Sequence, residues 1–185
     1  MLNQLPNFIT VLRILLVVPL VALLWRDNYY HALWIFFIAG VSDGIDGFLA
    51  RRFNWKSRIG AIMDPLADKL LLVSTMLVLC LNHHMSWWLF IVVSLRDLVI
   101  ILGAFVYHKA LGPYDMDPSR LSKSNTFFQI LFVVSILVSL GLWVLPSWYL
   151  LTLEIIVYVT TLSSGLHYIL LWGGRYQRNK ITRQK

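Results

Sequence analysis

Four aspartates lie close together in a chain that is otherwise strongly apolar. Asp43 and Asp46 form one pair and Asp64 and Asp68 form a second, although the whole chain carries only nine acidic residues. Ionised carboxylates near hydrocarbon are costly and need a partner, and four of them repel one another. One or two divalent cations would neutralise the whole group, so this window is the candidate active site.

The spacing inside each pair is that of one helix face. Asp43 and Asp46 are three residues apart, Asp64 and Asp68 are four apart, and such residues project from the same side of a helix. The polar, basic segment 52–59 predicts a turn that folds one helix back against the other. The four carboxylates could then face each other and bind Mg²⁺ or Mn²⁺, two of which would hold a pyrophosphate-type ligand.

Two other interpretations of the aspartates are open. They could form a structural ion-pair network with Arg51, Arg58 and Lys69. They could also form an ion pathway, as in a transporter, but a pathway predicts acids spread through the depth of the bilayer. The concentration of the acids around one loop favours the metal site.

Composition predicts the class of protein that surrounds this site. The chain has 185 residues, of which 58% are hydrophobic and 14% are charged, and its mean hydropathy is +0.70. These values indicate an all-α integral membrane protein, and the length suits one domain over residues 1–185. A single cysteine, Cys80, excludes an internal disulfide.

The apolar segments predict six transmembrane helices around a polar cavity that faces the cytoplasm. A span needs about 20 apolar residues. The six candidates are approximately residues 7–25, 30–51, 60–81, 87–107, 121–143 and 148–172. We expect Gly173-Gly174 to end the last of them.

The distribution of positive charge predicts the orientation. With both termini in the cytoplasm, the inner loops and the basic tail 174–185 hold twelve Lys and Arg residues, whereas the outer loops hold only Arg26. Basic clusters beside apolar spans contact anionic lipid headgroups, so we expect membrane lipids and no nucleic acid as partners. The active site should face the cytoplasm, as in a bacterial inner membrane or its equivalent.

The aspartate window resembles the signature of the CDP-alcohol phosphatidyltransferase family. The chain reads Asp43-x₂-Asp46-Gly47-x₂-Ala50-Arg51-x₈-Gly60-x₃-Asp64-x₃-Asp68, with every fixed position of that pattern present. Six spans and a chain of this length are also similar to that family. The resemblance implies a divalent-metal-dependent enzyme that transfers a phosphatidyl or similar group from a CDP-linked donor to an alcohol and releases CMP. It also implies a homodimer.

The resemblance assigns roles to individual residues. Asp43, Asp46, Asp64 and Asp68 would hold two Mg²⁺ or Mn²⁺ ions, and Asp68 would also act as the general base towards the acceptor hydroxyl. The opening segment, Pro6-Asn7-Phe8-Ile9-Thr10-x₂-Arg13, also resembles the family's. The residues implied in binding the donor, CDP-diacylglycerol, are Asn7, Thr10, Arg13, Gly47, Ala50, Arg51 and Gly60.

The acceptor is less strongly indicated. Arg96 lies in an apolar span, where it could contact an anion or pair with Asp97 or Glu154. Lys123 could bind the acceptor or extend to the membrane surface. The residues expected to bind the acceptor are Arg58, Arg96, Lys123 and Thr126.

The segment from Ser122 to Gln129 bears on which glycerol-type acceptor is used. Bacterial phosphatidylglycerophosphate synthases carry a similar segment with two lysines before the threonine, but here Asn125 stands in place of the second. The version with asparagine resembles CMP-forming cardiolipin synthases, which use phosphatidylglycerol. We expect glycerol 3-phosphate as the acceptor, with phosphatidylglycerol as the alternative and an ion-coupled transporter as the distant alternative.

Overall fold

The computed structural model describes the backbone of residues 5–53, 60–111 and 119–183, and the side chains of residues 10–44, 66–103 and 119–171. Within these ranges the chain is helical apart from short turns, so the all-α prediction is confirmed. The six helices are α1 Leu5–Trp25, α2 Tyr29–Phe53, α3 Gly60–Leu81, α4 Trp87–Leu111, α5 Arg120–Gly141 and α6 Ser147–Arg183.

Helix α6 is longer than the sequence pattern predicts. It has 37 residues and continues through Gly173-Gly174 to Arg183, so the expectation that these glycines end the helix is wrong. An internal glycine costs only about 1 kcal/mol relative to alanine, and no proline follows to break the hydrogen-bond ladder. Two glycines are therefore not a sufficient stop signal.

Helices α1 and α3 end in the same way, with a non-glycine residue in the left-handed conformation. Asp27 has φ 55° and His83 has φ 60°. After α1, the Asn28 amide donates to the Leu23 carbonyl at 2.9 Å; after α3, the His84 amide donates to the Leu79 carbonyl at 2.8 Å. These bonds satisfy carbonyls that the end of a helix leaves unpaired.

The two turns are also joined by side chains. The Tyr29 hydroxyl donates to Asp27 Oδ1 at 2.5 Å and lies 2.8 Å from His84 Nε2. Asn82 Nδ2 donates to the Leu24 carbonyl at 2.8 Å. This network fixes α1, α2 and α3 to one another at the end that is remote from the aspartates.

The chain forms two compact units, and the first comprises Met1–Ser86 and Val133–Pro146. In this unit α1 packs along both α2 and α3, whereas α2 and α3 contact each other much less. Helices α2 and α3 thus contact each other, but α1 makes most of the packing. The single-domain organisation stays a prediction.

The buried face of α1 explains its place in this unit. Its buried positions alternate at spacings of three and four residues, as one side of a helix requires. These positions are Thr10, Arg13, Val17, Leu20 and Leu24. Apolar side chains of α2 and α3 complete the core, among them Ala32, Phe36, Ala39, Leu72, Met76 and Leu79.

The second unit comprises Trp87–Phe132 and Ser147–Lys185. Helix α4 packs against α6, and Leu89, Val93 and Val157 are buried in its core. The first half of α5 belongs to this unit and is joined to α4 and α6 by side-chain hydrogen bonds.

Two helical segments are long and apolar enough to cross a bilayer among the residues described: Arg120–Gly141 and Ser147–Leu171. Large hydrophobic side chains are exposed on all six helices, a surface that suits lipid rather than water. Examples from the successive helices are Val18, Phe37, Leu66, Trp88, Phe127 and Leu166. Six transmembrane spans around a polar cavity stay a prediction.

Candidate active site

One arginine contacts one aspartate from each predicted pair. Arg13 on α1 lies with its Nη1 atom 2.7 Å from Asp43 Oδ1 on α2 and 2.5 Å from Asp68 Oδ1 on α3. Because one nitrogen atom contacts both oxygens, the oxygens cannot be further apart than these two distances combined. One carboxylate from each predicted pair therefore lies in a single cluster.

Helix periodicity explains why these two aspartates meet α1. Asp43 follows the buried positions Phe36 and Ala39 by seven and four residues, so it continues the packed face of α2. Asp68 precedes the buried Leu72 by four residues and lies on the packed face of α3 in the same way. The packing that buries the apolar residues therefore also directs both carboxylates towards Arg13.

The cation of this cluster is buried, whereas its two carboxylates are partly exposed. The Arg13 side chain is 0% exposed, whereas the side chains of Asp43 and Asp68 are 40% and 49% exposed. A buried guanidinium requires partners that compensate its lost hydration, and the two carboxylates supply them. The carboxylates keep accessible surface on which a further ligand can bind.

The donor atoms of the cluster fit a hard divalent cation. Aspartate oxygens are the ligands that Mg²⁺ and Mn²⁺ take in proteins. Among the side chains described, no three His, Cys, Asp or Glu residues gather in one place. Asp46 lies on α2 and Asp64 on α3, but their side chains are outside the described residues. The two-ion site stays a prediction, with two of its four ligands placed together.

Sequence reasoning missed the partner of these aspartates. The ion-pair alternative named Arg51, Arg58 and Lys69 but not Arg13, which contacts aspartates of both helices; Arg51 and Arg58 lie outside the described side chains. The signal was an arginine inside the first apolar segment, where a charge needs a buried partner. Its position three residues after Thr10 and four before Val17 places it on the packed face of α1.

The other residues implied in donor binding are described only in part. Thr10 is fully buried on the same face of α1 as Arg13. The remaining predicted donor contacts have side chains outside the described residues, namely Asn7, Gly47, Ala50, Arg51 and Gly60. Arg58, a predicted acceptor contact, also lies outside them.

In the second unit, a buried arginine organises a separate polar cluster. Arg96 on α4 is 6% exposed, and its Nη1 donates to Asp97 Oδ1 at 2.8 Å. Its Nη2 donates to Ser122 Oγ of α5 at 2.7 Å and to Ser164 Oγ of α6. The expected alternative, an Arg96–Asp97 pair, is confirmed. Among the described atoms, Arg96 Nε has no hydrogen-bond partner.

The polar residue Asn125 of α5 is buried against α6. Asn125 is 0% exposed, and its Oδ1 accepts hydrogen bonds from the hydroxyls of Thr160 at 3.0 Å and Thr161 at 2.8 Å. Lys123, by contrast, is exposed. The Thr126 hydroxyl donates to the Ser122 carbonyl of its own helix at 3.2 Å.

An apolar cavity of about 230 Å³ lies between α4 and α6. It suits a hydrocarbon chain rather than a nucleotide, because almost all of its wall is aliphatic. The residues that line it are Val92, Leu95, Arg96, Val99, Thr161, Leu162, Gly165, Leu166 and Ile169.

Comparison with known proteins identifies relatives over most of the chain. It is 34% identical over 146 residues to a CDP-diacylglycerol–glycerol-3-phosphate 3-phosphatidyltransferase of Blochmanniella floridana, covering 76% of each protein. It is 31% identical over 172 residues to a protein of the same name from Shigella flexneri serotype 5b, covering 90% of this chain and 93% of that protein.

A third relative carries a different activity in its name. The chain is 32% identical over 180 residues to a cardiolipin synthase (CMP-forming) / mitochondrial hydrolase fusion protein of Schizosaccharomyces pombe. That match covers 89% of this chain and 30% of the fusion protein.

The family model for CDP-alcohol phosphatidyltransferases matches residues 3–163, which include the whole aspartate window. The match confirms the resemblance that the fixed residues of the window predicted. The family is membrane-bound, in agreement with the two long apolar helices and the exposed hydrophobic side chains. The chain is thus an integral membrane protein that belongs to the CDP-alcohol phosphatidyltransferase family.

Proposed function

We propose that this enzyme transfers the phosphatidyl group of CDP-diacylglycerol to glycerol 3-phosphate, forming phosphatidylglycerophosphate and releasing CMP. The observation that carries the proposal is the meeting of Asp43 and Asp68, from two different helices, on Arg13. In the proposal Asp46 and Asp64 join these two carboxylates, and the four form a site for cations that bind the pyrophosphate of an activated lipid. The names of the bacterial relatives support the choice of acceptor.

In this proposal the four aspartates hold two divalent ions. Asp43 and Asp46 contribute from α2, and Asp64 and Asp68 contribute from α3. When bound, Mg²⁺ or Mn²⁺ would neutralise the donor pyrophosphate and the charge that builds on it during transfer. The exposed parts of the Asp43 and Asp68 carboxylates leave room for such ions.

Asp68 is proposed as the general base. It would take the proton of the acceptor hydroxyl, whose oxygen then attacks the phosphorus of the phosphatidyl group. The bond between that phosphorus and the CMP oxygen breaks, and CMP leaves with the electron pair. The half-exposed carboxylate of Asp68 is compatible with this role, because the acceptor must reach it.

The donor is proposed to contact Asn7 of α1, together with Gly47, Ala50, Arg51 and Gly60, while Thr10 and Arg13 support the donor site from the buried face of α1. The absence of a side chain at Gly47 and Gly60 would let the nucleotide approach the backbone. Thr10 and Arg13 are buried, so they would act on the donor through the groups that cover them.

The acceptor phosphate is proposed to contact Lys123, Arg58 and Arg96, with Thr126 nearby. Lys123 is exposed and available to an anion. Arg96 is already paired with Asp97, so its net attraction for an anion is weaker than that of an isolated arginine. Among the acceptor residues that the structure describes, Lys123 should therefore contribute most.

Phosphatidylglycerol is the second candidate acceptor, because of Asn125. At the place where phosphatidylglycerophosphate synthases carry a second lysine, this chain has an amide that is buried and bound to Thr160 and Thr161. It cannot supply the positive charge of a lysine to a phosphate. A site with one fewer cation suits an acceptor of lower charge, and the yeast relative named cardiolipin synthase supports this alternative.

The proposed enzyme works from the cytoplasmic side of the membrane as a homodimer. The asymmetry of basic residues supports the orientation, since both the aspartate loop and the C-terminal tail fall on the basic side.

The experiment that tests the proposal supplies purified protein with CDP-diacylglycerol, Mg²⁺ and one acceptor at a time, and identifies the lipid product by mass. Phosphatidylglycerophosphate formed from glycerol 3-phosphate supports the first assignment. Cardiolipin formed from phosphatidylglycerol, with no product from glycerol 3-phosphate, would replace it with the second. Absence of CMP with both acceptors would contradict both assignments.

A further inference from the structure

We propose that Arg13 is a positioning residue that fixes the separation of Asp43 and Asp68 before any metal ion or substrate binds. The inference rests on the proposed function in treating these aspartates as metal ligands, but the contacts themselves do not depend on it. This role differs from the direct contact with the donor that the family resemblance implies for Arg13.

The contacts of Arg13 with two separate helices support the positioning role. Asp43 and Asp68 belong to α2 and α3, which contact each other little, and both contact the same nitrogen of a residue on α1. Because α1 packs along both helices, Arg13 is held in place by the most extensive packing in this unit. Its side chain is completely buried, so it cannot turn away without opening the helix interface.

The charges of the three side chains also support this role. Two carboxylates brought from separate helices to a common nitrogen repel each other, and a single positive charge between them replaces that repulsion with two attractions. The three residues together keep a formal charge of minus one. Arg13 can therefore hold the aspartates in place and still leave a site that attracts a divalent cation.

The consequence is a site that is organised before the metal arrives. A metal ion that had to bring α2 and α3 together would lose binding free energy in ordering them, whereas a preformed pair of ligands avoids that cost. Arg13 acts through the two aspartates and so affects metal binding more than the chemical step.

A distance measurement between α2 and α3 tests the proposal. Nitroxide labels are placed at Val41→Cys and Leu70→Cys, two exposed positions near Asp43 and Asp68, after replacement of the buried Cys80 by alanine. We expect pulsed electron resonance to give the same narrow distance distribution for the parent protein in EDTA and in Mg²⁺. With Arg13→Gln, the distribution in EDTA should broaden, and Mg²⁺ should narrow it again.

Two further variants complete the design. Arg13→Lys retains the charge, replaces the glutamine variant in the measurement should that variant fail to fold, and should give a distribution of intermediate width. Arg26→Gln removes an exposed arginine from the α1–α2 turn and should change nothing. A distribution for Arg13→Gln or Arg13→Lys in EDTA as narrow as that of the parent protein would overturn the proposal.

The dependence of turnover on Mg²⁺ concentration is an independent test. We expect Arg13→Gln to raise the half-saturating Mg²⁺ concentration by roughly tenfold or more, with kcat at saturating Mg²⁺ changed by much less. Loss of kcat with an unchanged Mg²⁺ requirement would overturn the positioning role and favour donor contact. If the parent protein releases no CMP, the proposed function fails, and the distance measurement still decides the role of Arg13.

Discussion

The guanidinium of Arg13 lies within hydrogen-bonding distance of two negative charges, the carboxylates of Asp43 and Asp68. Only the carboxylates keep accessible surface. The chemistry of the site should therefore depend on the aspartates, and its geometry on the arginine.

Asp68→Asn removes the proposed general base and keeps the size of the side chain. We expect folded protein that still binds CDP-diacylglycerol but turns over about 10²–10⁴-fold more slowly, the usual range for loss of general base catalysis. The measurement is the rate of CMP release beside equilibrium binding of the donor.

The matched control for this variant is Glu154→Gln, an acid-to-amide change on α6 that touches no proposed role. It should keep nearly normal turnover. Normal turnover of the Asp68→Asn enzyme would show that another group takes the proton.

Asn125→Leu removes the acceptor of two hydrogen bonds between α5 and α6. Thr160 keeps its bond to the Ile156 carbonyl at 2.8 Å, whereas Thr161 loses its hydrogen bond to Asn125 Oδ1. We expect a loss of about 1 kcal/mol in the free energy of unfolding, because hydrogen bonds between membrane helices are individually modest. The measurement is thermal unfolding in detergent.

Ser124→Ala, at the exposed neighbouring position, is the control for Asn125 and should leave the unfolding temperature unchanged. Equal unfolding temperatures for Asn125→Leu and the parent protein would mean that the two threonine hydroxyls find other partners of equal strength.

At the scale of the helices, close approach of backbones depends on one glycine. A Cβ atom on Gly141, at the end of α5, would lie 2.8 Å from the Tyr29 carbonyl carbon and the Tyr30 nitrogen. Gly141→Ala must therefore displace backbone, and we expect a loss of roughly 1–3 kcal/mol in stability.

Gly40→Ala is the matched change, because a Cβ there meets nothing within 4 Å. Alanine is the better helix former by about 1 kcal/mol, so this variant should be as stable as the parent protein or slightly more stable. Thermal unfolding of both variants tests the pair, and equal stability would contradict the close packing of α5 on the start of α2.

The helices themselves could be predicted closely from apolar segment length. All six begin within two residues of the predicted spans, since polar turns such as Arg26-Asp27-Asn28 interrupt the hydrophobic runs. The end of α6 could not be predicted, because Gly173-Gly174 only weakens a helix and the hydrogen-bond ladder continues through both glycines to Arg183.

The meeting of Asp43 and Asp68 could be predicted from the sequence, whereas the contact of Arg13 with both of them could not. Aspartates at helical spacing are a local pattern, which sequence displays directly. The contact of Arg13 with Asp68 joins residues 55 positions apart, and it exists because α1 packs along both aspartate helices. Nothing in local sequence specifies which helix lies between two others.

At the scale of the whole molecule, the distribution of basic residues predicts the orientation in the membrane. A single cysteine is introduced at Arg26, in the turn predicted to lie outside, or at Gln184, in the tail, with Cys80 replaced by alanine. We expect a membrane-impermeant maleimide to label the Arg26→Cys protein in intact cells, and the Gln184→Cys protein only after the membrane is opened. The reverse pattern would place the aspartates on the outer side.

The proposed reaction depends on cations bound by the aspartates of α2 and α3. The most direct test is release of CMP from CDP-diacylglycerol by the purified protein, with glycerol 3-phosphate present, before and after chelation of divalent ions. We predict that CMP release stops with EDTA and returns with Mg²⁺ or Mn²⁺. The Asp43→Asn enzyme should need a higher concentration of either ion, because it has lost a metal ligand. Undiminished release after thorough chelation would contradict the account.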